Sequence, residues 1–84
     1  MEYKVLIKLY VPEIEQKFDM YIPVNKSVGQ VLTLLNKAVN SESSDTYPIK
    51  ESLRLMNKRT SEVYDQTKLI RETDIKNGTE LVII

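Results

Sequence analysis

The chain is 84 residues long and balances 12 Lys+Arg against 12 Asp+Glu, which excludes a phosphate-neutralising nucleic-acid binder and a polybasic membrane-surface protein. It contains neither Cys nor His, so disulfides, thiolate nucleophiles, zinc ribbons, iron–sulfur ligation and imidazole acid/base chemistry are excluded too. With 42% hydrophobic and 29% charged residues, the composition is that of one small folded domain with a compact core.

Tyr3 to Val11, YKVLIKLYV, alternates with period two and predicts a strand. Tyr3, Val5, Ile7, Leu9 and Val11 share one face; Lys4, Leu6, Lys8 and Tyr10 share the other. Pro12-Glu13 breaks the run. Lys17 to Val24, KFDMYIPV, repeats the alternation with Phe18, Met20, Ile22 and Val24 inward and Lys17, Asp19 and Tyr21 outward. Pro23 near its end suits an edge strand, where a missing ladder donor is tolerated. The pair reads as an antiparallel hairpin. The start carries no apolar secretory signal, and no apolar run approaches the roughly 20 residues of a membrane span. The expected location is the cytoplasm.

At Ser27 the period changes. Ser27 followed by Gln30 is a capping box, and Val28, Val31, Leu32, Leu35 and Val39, with Ala38, recur at helical spacing. The pattern predicts a helix from about Val28 to Val39 or a little beyond, dissolving in the polar loop Asn40 to Thr46. Tyr47-Pro48 ends that loop in extended backbone. Ser52 to Met56 reads as a third strand with Leu53 and Leu55 inward, Asn57 to Thr60 as a turn and Glu62 to Tyr64 as a brief fourth strand. Lys68 to Ile75 is a loop or a single helical turn. Asn77-Gly78 is a turn dipeptide. Thr79 to Ile84 is the final strand, with Leu81 and Ile83 inward and Val82 and Ile84 outward. One helix on one mixed sheet of four or five strands is a two-layer α+β domain spanning residues 1–84, with the last strand beside the buried first one. That is the order of the β-grasp, or ubiquitin-like, fold.

Phe18-Asp19-Met20-Tyr21-Ile22 is similar to an F-D-L-x-L pattern, and Leu53-Arg54-Leu55-Met56-Asn57-Lys58 to an I-R-V-V-N-K segment. Leu69 to Ile83 is similar to an ending L-x-D-x-x-I-x-N-G-D-x-L-x-I, with its front shifted by a residue or two. On these motifs the chain resembles the YukD/EsaB-like family of small bacterial ubiquitin-like proteins over essentially its whole length. The resemblance implies a cytoplasmic accessory component of a type VII (ESX or Ess-like) secretion system in a Gram-positive bacterium. The implied partner is the membrane-embedded secretion machinery. Modifier proteins of this fold carry a C-terminal diglycine, whereas Val82-Ile83-Ile84 stands here, so conjugation to targets is not expected. Arg54 takes the place of the exposed apolar residue that ubiquitin receptors recognise, which speaks against ubiquitin-type readout.

Glu13 with Glu15, or Glu72 with Asp74, could form a catalytic or metal-binding carboxylate pair, but each lies in a predicted loop near a cation and reads as a solvated turn residue. No catalytic, cofactor or metal residue is expected, nor any cofactor, and the chain reads as a non-enzyme. Ser41 to Thr46 reads as a solvated loop, and Lys50, Arg54, Lys58 and Arg59 are the only local basic excess. The outward sheet residues carry the binding reading. Leu6, Lys8, Tyr10, Arg54, Met56, Lys58, Val82 and Ile84 are the candidate partner-binding residues, combining adjacent apolar positions with types enriched in interface cores. Leu6, Tyr10 and Val82 could also pair with their own copy in a weak two-fold dimer. The sequence thus points to a non-enzymatic protein-interaction module that binds no nucleic acid and does not insert into membranes. The alternative is a non-catalytic β-grasp subunit or regulator of a small-molecule enzyme complex. A degenerate carrier is a third reading, against which the closing strand weighs.

Overall fold

Branched apolar residues at every second position make Lys4–Val11 strand β1, with Val5, Ile7, Leu9 and Val11 buried. The computed structural model describes residues 3–44, 47–50 and 52–84; Met1-Glu2 and the Asp45-Thr46 end of the expected polar loop lie outside the described residues. Pro12 breaks β1 and opens a 3-10 turn, Pro12–Ile14, which closes on Glu15 in left-handed backbone at φ 52°. Strand β2, Gln16–Pro23, returns antiparallel in a full register from Lys4↔Pro23 to Val11↔Gln16. Phe18, Met20 and Val24 are only partly buried, because β2 has a neighbour on one side alone. Tyr3 keeps its place in the ladder, its C=O accepting from Val24 N–H at 2.9 Å. It lies outside β1, however, and is 60% exposed rather than inward.

The capping box forms as the sequence predicts: Ser27 Oγ accepts from Gln30 N–H at 3.1 Å, and Gln30 Oε1 accepts from Ser27 N–H at 3.0 Å. Two further first-turn donors, the N–H groups of Val28 and Gly29, reach the carbonyls of Lys68 and Gln66, so the helix start has no orphaned end. Helix α1, Val28–Glu42, buries Val28, Val31, Leu32, Leu35 and Val39 against the sheet. It continues three residues beyond Val39, into the stretch expected to be loop, where its polar residues have distant partners. Asn40 Nδ2 donates to the Tyr47 carbonyl at 2.8 Å, and buried Asn36 donates to Pro48 C=O and accepts from Lys50 N–H. Residues read as loop formers therefore tie the returning chain to the helix.

Strand β3, Leu55–Asn57, is shorter and later than expected. Leu53 is buried but precedes it, and Arg54 exchanges backbone hydrogen bonds with Ile84 at 2.8 and 2.9 Å. Buried Asn57 turns the chain: its Oδ1 accepts from the N–H groups of Arg59 and Thr60, and its Nδ2 donates to the Tyr64 hydroxyl. The expected strand Glu62 to Tyr64 reduces to a single bridge, Met56↔Val63. A 3-10 turn, Ile70–Glu72, buries Ile70, and Gly78 takes φ 88° in the turn before strand β4, Glu80–Ile83. β4 lies parallel to β1 and antiparallel to β3, giving the four-stranded order β2-β1-β4-β3. With α1 across one face, this is the β-grasp arrangement. Among the described residues no helix is long and apolar enough to cross a membrane.

Tyr64 pins the β3 turn to the chain before β4, its hydroxyl donating to Asp74 Oδ1 at 2.6 Å. Burial first, and then the bond to Asp74, push that hydroxyl from its ordinary 10.0 up to about 12. Folded Tyr64 thus keeps its proton where unfolded Tyr64 has lost it, so stability falls as pH rises from 10 towards 12. Burial raises Tyr47 in the same direction. Urea titrations are expected to show this alkaline loss, with part of it absent in Tyr64→Phe. That variant should also lose about 1–2 kcal/mol at neutral pH, since Asp74 and Asn57 lose their shared partner. Identical slopes in both proteins would mean that Tyr64 ionises alike in both states.

Candidate functional site

Alternation along each strand sends the candidate residues to the sheet face opposite α1, and cross-strand pairing arranges them in rows. The first row joins Leu6 to Tyr21 on β2, beside the turn before β4. There Leu6 N–H donates to Asn77 Oδ1 at 2.7 Å, and Gly78 N–H donates to Leu6 C=O at 2.8 Å. The second row, Asp19–Lys8–Glu80–Lys58, alternates in charge across the sheet. Lys58 Nζ lies 3.6 Å from Glu80 Oε2 and 5.5 Å from the centre of the Tyr10 ring. In the third row Lys17, Tyr10, Val82 and Met56 are neighbours, and Ile84 with Arg54 forms the fourth. Lys8, Tyr10, Lys17, Asp19, Lys58 and Glu80 line an open depression of about 340 Å³.

Two expectations change. Val82 points outward as predicted but is only 5% exposed, because β4 is central and Val82 is flanked by Tyr10 on β1 and Met56 on β3. It supports the surface from beneath. Leu6 does not join the apolar row either. It stands two positions before Lys8 and four before Tyr10, roughly 13 Å away along the strand, with the charged row between. The expected patch of Leu6, Tyr10 and Val82 is therefore two islands: Leu6 with exposed Tyr21, and Tyr10 with Met56 over buried Val82. Ile84, at 49% exposure, borders the second. Glu80 and Asp19, absent from the sequence-based candidates, complete the ionic row. Alternation from inward Leu81 and Met20 already places both outside, but only the pairing sets them beside Lys8 and Lys58.

The remaining sequence candidates have local partners. Glu13 accepts from Lys50 Nζ at 2.7 and 2.8 Å, which holds the ammonium above its usual range, and the same Nζ lies 5.0 Å from the Tyr47 ring centre. The basic excess of Lys50, Arg54, Lys58 and Arg59 is thereby divided, with Lys50 and Lys58 each facing a carboxylate. Glu72 Oε1 accepts from Leu69 N–H at 2.9 Å, and Asp74 accepts from Tyr64. Among the described residues no cluster of three or more acidic side chains could hold a metal ion.

No family model matches the chain, and no curated protein matches it. Solved structures do. A chain of the MycP5-free ESX-5 inner membrane complex is similar over 99% of this chain and 21% of its own length, at 19% identity and a TM-score of 0.80. An N-terminal ubiquitin-like domain solved in solution is similar over 100% of this chain and 76% of its own, at 11% identity and a TM-score of 0.67. A chain of the toluene 4 monooxygenase HD complex with the inhibitor 4-bromobenzoate is similar over 95% of both chains, at 13% identity and a TM-score of 0.74. At these identities the likeness is one of fold, and the fold is ubiquitin-like.

Val82 on β4 and Ile84 just beyond its end should respond differently to charge. Val82→Asp places a carboxylate between Tyr10 and Met56 and is expected to cost at least about 3 kcal/mol in urea denaturation. Ile84→Asp should stay within about 1 kcal/mol of the parent. Equal losses would mean that the outer face is covered, or open, along its whole length.

Proposed function

We propose that this chain is a non-enzymatic ubiquitin-like interaction module whose partner docks on the outer sheet face. The observation that carries the reading is the Tyr10–Met56 row, anchored on buried Val82 and bordered by the alternating charges of Lys8, Glu80 and Lys58. An aromatic ring and a thioether supply adaptable apolar contact, while the charged row fixes register and rejects mismatched partners. The biological setting we propose is cytoplasmic, as an accessory component of a type VII secretion system that contacts the membrane-embedded machinery. The fold-level likeness to a chain of the ESX-5 inner membrane complex supports it, as do the Phe18–Ile22 and Leu53–Lys58 motifs. A second reading, a non-catalytic subunit of an enzyme complex, is supported by the likeness to the toluene 4 monooxygenase chain, which is matched end to end at this chain's own size.

Affinity capture from the native host, followed by mass spectrometry, separates the two. Secretion ATPase and membrane subunits are the expected catch; a metabolic oxygenase in their place would favour the second reading. Tyr10→Ala combined with Ile84→Asp should reduce capture at least tenfold, about 1.4 kcal/mol, with circular dichroism and melting temperature nearly unchanged. Undiminished capture by this folded variant would move the partner off the outer face.

A further inference from the structure

We propose that Asn77-Gly78 is a gated site of covalent self-modification: the Asn77 amide is inert while Leu6 holds the turn, and converts to aspartate and isoaspartate when β1 lets go. The reaction needs no enzyme. The Gly78 backbone nitrogen attacks Asn77 Cγ and forms a C–N bond; the Cγ–Nδ2 bond breaks, and ammonia leaves with the proton that the Gly78 nitrogen gives up. Water then opens the cyclic imide, at Cγ to give aspartate or at the main-chain carbonyl to give isoaspartate. Glycine in second place favours this step, because no Cβ crowds the attacking nitrogen. The chain's other asparagines precede Lys or Ser, so Asn77 is the reactive one.

The fold requires both residues for reasons of its own. Gly78 takes φ 88°, which glycine adopts without strain. Asn77 Oδ1 accepts from Leu6 N–H at 2.7 Å, standing in for a ladder carbonyl just before β4 begins. Gly78 N–H donates to Leu6 C=O at 2.8 Å, and Lys8 N–H donates to Thr79 C=O at 3.0 Å. The turn is closed by Thr79 N–H donating to Lys76 C=O at 3.0 Å and Lys76 N–H donating to Thr79 Oγ1 at 2.9 Å. Leu6 thus holds both reactants. Its carbonyl engages the proton that the nucleophile must lose, and its N–H ties the electrophilic side chain to the strand. Asn77 and Gly78 are exposed, so water reaches them in the folded chain and geometry alone withholds the reaction. Leu6 N–H on Oδ1 would by itself polarise the amide toward attack, but the engaged Gly78 N–H leaves it no nucleophile. Conversion therefore follows the fraction of molecules in which this end of β1 has opened. It also runs one way. Aspartate keeps an oxygen for Leu6 N–H, whereas isoaspartate adds a methylene to the main chain between the two partners of Leu6 and breaks their shared register.

The test incubates the full chain in mildly alkaline buffer, native or in enough urea to unfold it, and follows each asparagine by peptide mass spectrometry. Chromatography separates the aspartate and isoaspartate products. In urea, Asn77 is expected to convert ahead of every other asparagine. In native buffer its conversion should be at least about tenfold slower. Thr79→Ala removes the hydroxyl that helps close the turn; it should keep the parent circular dichroism and hasten native conversion severalfold, with the rate in urea unchanged. Purified isoaspartate chains should exchange the amide hydrogens of Leu6 and Lys8 faster than the parent, whereas Asn77→Asp should exchange them as the parent does. Equal rates of conversion in the two buffers would show that Leu6 gates nothing. A faster rate in the folded chain would show that Leu6 N–H activates the amide instead. Either result would overturn the proposal, as would parent-like exchange at Leu6 in the isoaspartate chain.

Discussion

The parallel pairing of β4 with β1 aligns almost everything else. Leu9 meets Leu81 in register, both fully buried, and α1 has a continuous surface to cover only because these strands lie side by side. The same pairing sets Lys8 beside Glu80 and Tyr10 beside Val82 on the opposite face. A central strand flanked on both sides is screened on both faces, which is why Leu81, Val82 and Ile83 are all buried despite their alternating directions. A nearly continuous apolar run marks such a strand, as it does in parallel sheets generally.

Local features were legible in the sequence because their causes are local. The period of β1, the Ser27–Gln30 box and the Asn77-Gly78 turn each depend on residues within a few positions. What escaped depends on partners far along the chain. The last turn of α1 persists because Asn36 and Asn40 hold Pro48, Lys50 and Tyr47, and nothing in Asn40 to Glu42 alone announces that. The brief strand at Glu62 to Tyr64 became one bridge because Asn57 turned inward to organise the reversal. Outward direction was read correctly for Val82, but exposure is set by the neighbours. Charge alternation across Asp19, Lys8, Glu80 and Lys58 exists only between strands, so no window of sequence displays it.

As the docking face we propose, the outer side of the sheet would be a selective surface more than an adhesive one. The Lys58–Glu80 pair, exposed and 3.6 Å apart, contributes at most about 1 kcal/mol to stability and can exchange partners cheaply when another protein arrives. With zero formal net charge, the chain offers no net attraction at long range, and recognition of the partner we propose would rest on the arrangement of short-range charges beside the Tyr10–Met56 row.

The β1–β4 contact also fixes the order of events during synthesis. Leu9 and Leu81 are separated by most of the chain, so the central pairing is among the least local contacts in the molecule. The β1–β2 hairpin and α1 can leave the ribosome and associate while β1 still lacks its second neighbour. Until Glu80 to Ile83 emerge, the nascent chain carries an additional bare edge in the middle of its future sheet. High contact order slows the final closure, and that interval is when the unfinished molecule is most open to pairing with the wrong strand.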